Sequence, residues 1–229
     1  MVTLIPRRGS NPLYLGQQYP EVVLNTPGVN LTALSDDDLA YINGTSDFYA
    51  VDAYISQFAT PAPGGIAACA ANTSDPLFPT CATLSNTQLN GWTMGARSNA
   101  YSYIAPQYVR QQLGYVWNTF RPAGGVMITE FGFPVYDEYA RALEDQRQDL
   151  ERSLYYLDFL AEALKSVHED GVNVIGALAW SFVDNNEFGS YENQYGLQTV
   201  NRTDGSLRRH FKRSIFDLVD FFNTHVPAS

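Results

Sequence analysis

Apolar side chains along this chain form short continuous runs, separated by segments with helical spacing. Runs that are rich in β-branched and aromatic residues predict buried strands. Three such strands are expected, at residues 47–55, 125–129 and 173–182.

Helical spacing of apolar residues lies between and around these strands. An amphipathic helix is expected at 106–120, and the clearest helix at 141–169, where leucines recur at steps of three, four or seven. A last helix is expected at about 212–223, and short helical pieces at 20–24 and 36–42. Strands that alternate with helices favour an α/β fold with a parallel sheet and right-handed crossovers.

Residues 59–105 have few periodic apolar positions and many Pro, Gly, Asn and Thr residues. This composition predicts a long loop, and loops of this length are usually functional or disordered. Because no clear linker divides the chain, we expect one domain over residues 1–229.

The charge balance narrows the range of functions. With 14 basic and 24 acidic residues the net charge is −10, which repels phosphate backbones and argues against a nucleic-acid partner. No apolar run is long enough to span a membrane, so no membrane partner is expected. Charged residues make up 17% and aromatic residues 14% of the chain, a composition that suits neutral polar ligands such as sugars.

Cysteines and sequons together indicate a secreted lineage. Cys69 and Cys81 lie close together in the predicted loop, where a disulfide would staple the segment; two free thiols are the alternative. The N-x-Ser/Thr sequons predict glycosylation at Asn30, Asn43, Asn72 and Asn201. Chance sequons are the alternative here. The first residues lack the apolar segment of a secretory signal peptide, so the sequence leaves the localisation open.

Acidic residues follow two of the predicted strands. Glu130 ends one strand, and Asp184 and Glu187 follow the next, which also carries Trp180. The carboxyl ends of parallel strands hold the chemistry in α/β barrels, and an aromatic ring beside carboxylates suits a sugar face. In the alternative interpretation, Glu130 caps the segment after it and Trp180 belongs to the core.

Several ordered motifs resemble those of family 1 glycoside hydrolases, the β-glucosidase family. Ile-Thr-Glu-Phe-Gly at 128–132 resembles the family's nucleophile motif, and the segment at 170–188 is similar to its last barrel strand and sugar-binding loop. Further matches lie at 15–21, 47–54 and 195–202. The resemblance implies the C-terminal part of a (β/α)8 TIM barrel, strands six to eight, which is incomplete as a single chain.

The resemblance also implies roles for individual side chains. Glu130 matches the catalytic nucleophile, and Tyr54 matches the tyrosine that donates a hydrogen bond to it. Trp180 matches the platform under the sugar ring, and Glu187 matches the carboxylate that binds sugar hydroxyls. Phe188 stands where the family usually has a second tryptophan, so it offers an apolar face without an indole N–H. No cofactor and no metal site are expected.

Two departures from the family pattern bear on activity. The chain has no match for the first five barrel strands or for the acid/base glutamate, whereas retaining hydrolysis needs two carboxyls about 5–5.5 Å apart. In addition, Asp52 replaces a strand asparagine and shares a strand face with Tyr54. Asp52 is therefore a candidate to share a proton with Glu130 as a new acid/base pair. In the alternative, Asp52 faces solvent or pairs with an arginine.

Three functions are consistent with these sequence features. The first is a β-glucosidase-like retaining hydrolase of O-glycosyl bonds, truncated and weak or inactive alone. The second is a repurposed, non-hydrolytic member that binds a small molecule or catalyses acid/base or cyclisation chemistry, and the third is a fragment without a function. The expected ligand is a β-glucoside or another small molecule. Because a partial barrel has open sheet edges, we expect a complementing N-terminal half-barrel or a homo-oligomer as partner.

Overall fold

The structure, a computed structural model, describes residues 4–26 and 30–226. The chain divides into two compact units. The first unit takes its described residues from 1–49, 57–93 and 116–125, and the second from 50–56, 94–115 and 126–229. None of the described helices is long and apolar enough to cross a membrane.

The helices and strands of the described residues have the following bounds. The α-helices are α1 (Leu4–Ser10), α2 (Glu21–Leu24), α3 (Asp36–Ile42), α4 (Ile66–Ala70), α5 (Val109–Phe120), α6 (Leu143–Gln146), α7 (Leu150–His168) and α8 (Arg213–His225). The strands are β1 (Tyr49–Asp52), β2 (Phe58–Pro61), β3 (Ala82–Ser85), β4 (Val126–Phe131), β5 (Val174–Ala179), β6 (Gln198–Val200) and β7 (Arg209–Phe211). The predicted helices at the positions of α2, α3, α5 and α8 are thus confirmed.

Aromatic packing and a disulfide order the first unit. The ring of Tyr49 stacks on those of Tyr14 and Phe120, with centroids 5.0 Å and 5.4 Å apart. In the segment 57–93, β2 and β3 pair as an antiparallel ribbon, and Cys69 and Cys81 are joined by a disulfide with their Cα atoms 5.6 Å apart.

The long predicted loop at 59–105 therefore contains regular structure, namely β2, α4 and β3. The sequence did not reveal the ribbon because its strands are short and mostly exposed, so they lack the apolar alternation of a half-buried strand. The predicted disulfide is present, and both of its cysteines are buried.

A three-stranded sheet in the order β1-β4-β5 carries the second unit. β4 and β5 are parallel, with Val126 opposite Val174 and Ile128 opposite Ala177. Ala53 N, just beyond β1, donates to Glu130 O at 3.0 Å. The three predicted strands are thus neighbours in one sheet, and the valine and isoleucine of β4 have no contact with solvent.

The long predicted helix at 141–169 is wrong in one respect, because it is divided into α6 and α7. Asp149 lies at the division. Its carboxylate does not cap α7; instead, Oδ1 and Oδ2 accept hydrogen bonds from Ser214 N and Ser214 Oγ at 2.9 Å and 2.5 Å. The carboxylate therefore satisfies an N–H group in the first turn of α8.

The buried face of α7 is mainly aromatic, and Leu160 is the one recurring leucine that is buried there. Phe159 stacks on Phe131 of β4 with ring centroids 4.6 Å apart, and Tyr156 packs edge-on against the same ring. Leu150 and Leu154, by contrast, are about half exposed. Leucine periodicity located the helix but did not identify the side that packs on the sheet.

Five buried ionisable side chains form one connected cluster in the second unit. The Arg152 guanidinium contacts the carboxylates of Glu138 and Asp149. Lys212 Nζ lies 2.9 Å from Glu138 Oε1 and 3.1 Å from Asp184 Oδ2. No side chain of the five is more than 1% exposed. Charges removed from water to this degree are tolerated only when each has partners of opposite sign.

Glu138 lies between both cations of the cluster. Burial by itself would raise the pKa of Glu138, but the charges of Arg152 and Lys212 outweigh that effect and hold the pKa below its ordinary value of 4.5. The carboxylate is therefore ionised in the folded protein at neutral pH.

Removing a cation from the cluster should be costly. We expect Lys212→Met to lower the free energy of unfolding by about 3–5 kcal/mol, because Glu138 and Asp184 lose the cation that they share. Arg213→Met is the matched control, since its pair with Asp217 is 51% and 31% exposed and should be worth less than about 1 kcal/mol. Urea denaturation measures both, and equal losses would contradict the importance of the cluster.

The low pKa of Glu138 also predicts how stability depends on pH. Because the pKa is lower in the folded than in the unfolded chain, the contribution of Glu138 is fully present above its ordinary value of 4.5 and is lost as the pH falls through the folded-state pKa. We expect Glu138→Gln to be less stable at pH 7 and to lose less stability on acidification. Unfolding curves from about pH 7 to pH 3 test this. An equally steep acid limb in the variant would contradict it.

Candidate active site

Glu130 and Tyr54, which lie in distant segments of the sequence, are in direct contact. Glu130 is at the carboxyl end of β4, and Tyr54 follows the neighbouring strand β1. The Tyr54 hydroxyl donates a hydrogen bond of 2.9 Å to Glu130 Oε2. Burial contributes most to raising the pKa of Tyr54 above its ordinary value of 10.0, and the hydrogen bond and charge of Glu130 raise it further. The phenol therefore stays neutral and orients the carboxylate.

Trp180 and Glu187 form a second contact after β5. Trp180 N donates to Phe131 O at 2.8 Å, so Trp180 and Glu130 lie at the same end of the sheet, as predicted. The Trp180 indole Nε1 donates to Glu187 Oε1 at 3.0 Å, and Glu187 is buried. The peptide bond that follows Trp180 is cis. The Trp180 indole is thus held beside the Glu187 carboxylate, whose other oxygen is not used in this hydrogen bond.

The remaining predicted site residues, Phe188 and Asp52, lie on the surface of the chain. Phe188 is 95% exposed and has a positive φ of 52°. The Asp52 carboxylate accepts a hydrogen bond of 2.7 Å from Thr129 Oγ1. Asp52 and Glu130 are thus bound by different donors, and proton sharing between them stays a prediction.

The predicted glycosylation sites differ in their surroundings. Asn30, Asn43 and Asn72 are exposed, whereas Asn201 is partly buried. Asn201 Nδ2, the atom that would carry a glycan, donates to Asp204 Oδ2 at 3.0 Å. Glycosylation at all four positions stays a prediction, and Asn201 is the least available of them.

One predicted residue, Asp184, lies elsewhere than at the site, and one residue that was not predicted, Tyr195, lies beside Tyr54. Asp184, a candidate at a strand end, belongs to the buried ionic cluster, and its Oδ1 accepts from Gly196 N at 2.7 Å. Tyr195 was not identified as a site residue, yet its ring packs edge-on against that of Tyr54, with centroids 5.9 Å apart. Its position at the start of the matched segment 195–202 was the available signal.

These contacts suit covalent chemistry at a sugar. An oriented carboxylate can attack a carbon centre, and an indole beside a carboxylate can bind a ring with hydroxyl groups. Within the described residues, no group of three or more His, Cys, Asp or Glu side chains could hold a metal ion.

Comparisons of sequence point to one family. The family model described as glycosyl hydrolase family 1 matches residues 8–225. β-Glucosidase 1B of Phanerodontia chrysosporium is 30% identical over 224 residues, which are 96% of this chain and 38% of that protein. β-Glucosidase 6 of Oryza sativa subsp. japonica is 28% identical over 208 residues, which are 90% of this chain and 39% of that protein. The chain thus spans about two fifths of the length of these relatives.

Solved structures give the same picture. A family 1 β-glucosidase of Humicola insolens in complex with glucose has a TM-score of 0.83 and 25% identity, and the match covers 95% of this chain and 44% of that one. A rice β-glucosidase has a TM-score of 0.81 and 27% identity, with 97% and 45% covered. Because the described sheet is open and the match covers less than half of each solved chain, the fold is a partial (β/α)8 barrel, as predicted.

The pKa of Tyr54 gives a test of the Tyr54–Glu130 contact. With ¹³C at tyrosine Cζ and the Tyr54 signal identified by its loss in Tyr54→Phe, we expect no ionisation of Tyr54 up to about pH 11. Glu130→Gln keeps a hydrogen-bond acceptor but removes the charge, so Tyr54 should ionise at lower pH in this variant. Glu144→Gln, at an exposed position on α6, should leave the titration unchanged. Ionisation of wild-type Tyr54 near pH 10 would contradict the contact.

Proposed function

We propose, because this chain belongs to glycosyl hydrolase family 1, that it provides the nucleophile side of a retaining β-glucosidase active site as one partial-barrel module of 229 residues. The observation that carries the proposal is the 2.9 Å hydrogen bond from Tyr54 to Glu130. It lies at the carboxyl ends of parallel strands, where barrel enzymes hold their chemistry.

Glu130 is the proposed nucleophile. One carboxylate oxygen attacks the anomeric carbon of a β-glucoside, and the bond to the leaving oxygen breaks as a glycosyl-enzyme forms. Water then attacks the same carbon and releases the sugar with net retention of configuration. Tyr54 orients the carboxylate through its hydrogen bond, so that Glu130 is held in one position for the attack.

Trp180 and Glu187 are the proposed sugar-binding pair. The indole of Trp180 offers an apolar face to the ring, and Glu187 offers a carboxylate oxygen to its hydroxyl groups. The exposed ring of Phe188 adds an apolar face nearby in the sequence. A glucoside is favoured as ligand because the Humicola insolens relative was solved in complex with glucose.

The module is proposed to be a weak or inactive hydrolase by itself. Retaining hydrolysis needs a second carboxyl about 5–5.5 Å from the nucleophile, and the 229 residues contain no match for it. The open sheet also needs cover, since Ile175 and Leu178 of the edge strand β5 are about half exposed. A complementing half-barrel or a second copy of the chain is the proposed partner.

Hydrolysis of glucosides with different leaving groups tests the proposal. A nitrophenyl β-glucoside needs little acid assistance because its leaving group departs as a stable phenolate. We expect slow release of nitrophenolate by the 229-residue chain, and turnover of cellobiose lower by at least the ~10²–10⁴-fold that a general acid supplies. Activity should disappear in Glu130→Gln and persist in Glu144→Gln.

Two results would contradict the proposal. Nitrophenolate release that survives Glu130→Gln would show that Glu130 is not the nucleophile. Cellobiose turnover by the monomer at about 10 s⁻¹, an ordinary enzyme rate, would show that an acid exists within the chain. Asp52→Asn would then identify whether Asp52 supplies it.

A further inference from the structure

We infer that Tyr195 is a positioning residue, which holds the Tyr54 hydroxyl on Glu130 by the packing of its ring and is itself fixed by the buried ionic cluster. The inference deepens the proposed function, because it rests on Glu130 as the nucleophile. It concerns residues of the second unit only.

The rings of Tyr54 and Tyr195 meet at a right angle. Their centroids are 5.9 Å apart and their planes differ by 86°, which is a favourable edge-to-face geometry. Tyr195 is buried, so its ring offers a fixed wall. Tyr101 also meets the Tyr54 ring edge-on, with centroids 6.4 Å apart, but Tyr101 is 47% exposed and restrains it less. Without the Tyr195 ring, the Tyr54 side chain would have space to adopt other rotamers, and its hydroxyl would leave the carboxylate for part of the time.

The Tyr195 ring has little freedom of its own. A Cβ atom placed on Gly132 would lie 3.1 Å from Tyr195 Cδ1 and 2.2 Å from Trp180 O. Gly132 follows β4, so the glycine allows the ring to pack directly on the backbone beyond the strand that carries Glu130. The hydroxyl of Tyr195 is buried and has no hydrogen-bond partner among the described residues, so no hydrogen bond of its own fixes the ring.

The backbone on both sides of Tyr195 is attached to the ionic cluster. Arg152 donates to Gln194 O at 2.6 Å, and Gly196 N donates to Asp184 Oδ1 at 2.7 Å. Between them, Tyr195 O accepts from Ser181 N at 3.2 Å. The buried charges thus fix Tyr195, its ring restrains Tyr54, and the Tyr54 hydroxyl orients Glu130.

The contact assigns the effect to the ring of Tyr195 and not to its hydroxyl. Tyr195→Phe keeps the ring edge against Tyr54, whereas Tyr195→Ala removes it. The two variants therefore separate positioning of Tyr54 from any role of the buried hydroxyl.

The first measurement is the ¹³Cζ chemical shift of Tyr54 in tyrosine-labelled protein, which does not depend on activity. We expect Tyr195→Ala to move this signal in the same direction as Glu130→Gln, and Tyr195→Phe to leave it in place. Leu218→Ala, which truncates a buried side chain of α8, controls for general destabilisation and should leave the signal unmoved. Circular dichroism and thermal unfolding establish that each variant is folded.

The second measurement is the rate at which Glu130 is labelled by a 2,4-dinitrophenyl 2-deoxy-2-fluoro-β-glucoside, followed by mass spectrometry. Attack by the carboxylate on the anomeric carbon expels dinitrophenolate with the bonding electrons, so no acid is needed. We expect labelling to slow up to about a hundredfold in Tyr195→Ala and to change less than about twofold in Tyr195→Phe.

An unmoved Tyr54 signal in folded Tyr195→Ala would overturn the inference, and so would equal effects of the Phe and Ala variants. Failure of the wild-type chain to be labelled at all would refute the proposed function instead. The chemical shift of Tyr54 would still decide whether Tyr195 positions it.

Discussion

Arg152 and Lys212 are removed from water, so the folded second unit requires every carboxylate that balances them to be in place. The carboxylates come from the segment after β4, the start of α7 and the loop after β5, and Lys212 directly precedes α8. One electrostatic requirement therefore fixes how two strands and two helices meet. Aromatic packing of α7 on β4 also stabilises the folded state, but apolar rings do not each require one specific partner as the buried charges do.

The pairing of these buried charges also helps to fix the geometry of the candidate site. Glu138 follows β4, the strand that carries Glu130, and Asp184 follows Trp180, the residue directly after β5. The cluster thus anchors the segments that follow the two strand ends at which Glu130 and Trp180 lie. Such charges add little net stability over an apolar core of the same volume, but they favour a single arrangement because a misplaced charge would be unpaired.

Much of this arrangement could be predicted from the sequence, and the reasons for the exceptions are physical. Apolar runs located β4 and β5, because this signal depends on a local pattern. The contact between Tyr54 and Glu130 was expected from the resemblance to the family's motifs and not from periodicity. The division of the long helix could not be predicted, since Asp149 turns to Ser214, far along the chain. The ionic cluster was missed for the same reason: nothing in a local window distinguishes its five members from exposed charges. Tyr195 was missed because an edge-on ring contact leaves no periodic signal.

The disulfide between Cys69 and Cys81 makes the first unit sensitive to a different chemical condition from the second unit. Thiols reduce a disulfide, whereas acid leaves it intact. The ionic cluster, by contrast, is not affected by thiols and is weakened when acid protonates its carboxylates. The chain therefore has two separate vulnerabilities, one in each unit. A reducing compartment would loosen the ribbon of the first unit while the carboxylate site of the second unit kept its geometry.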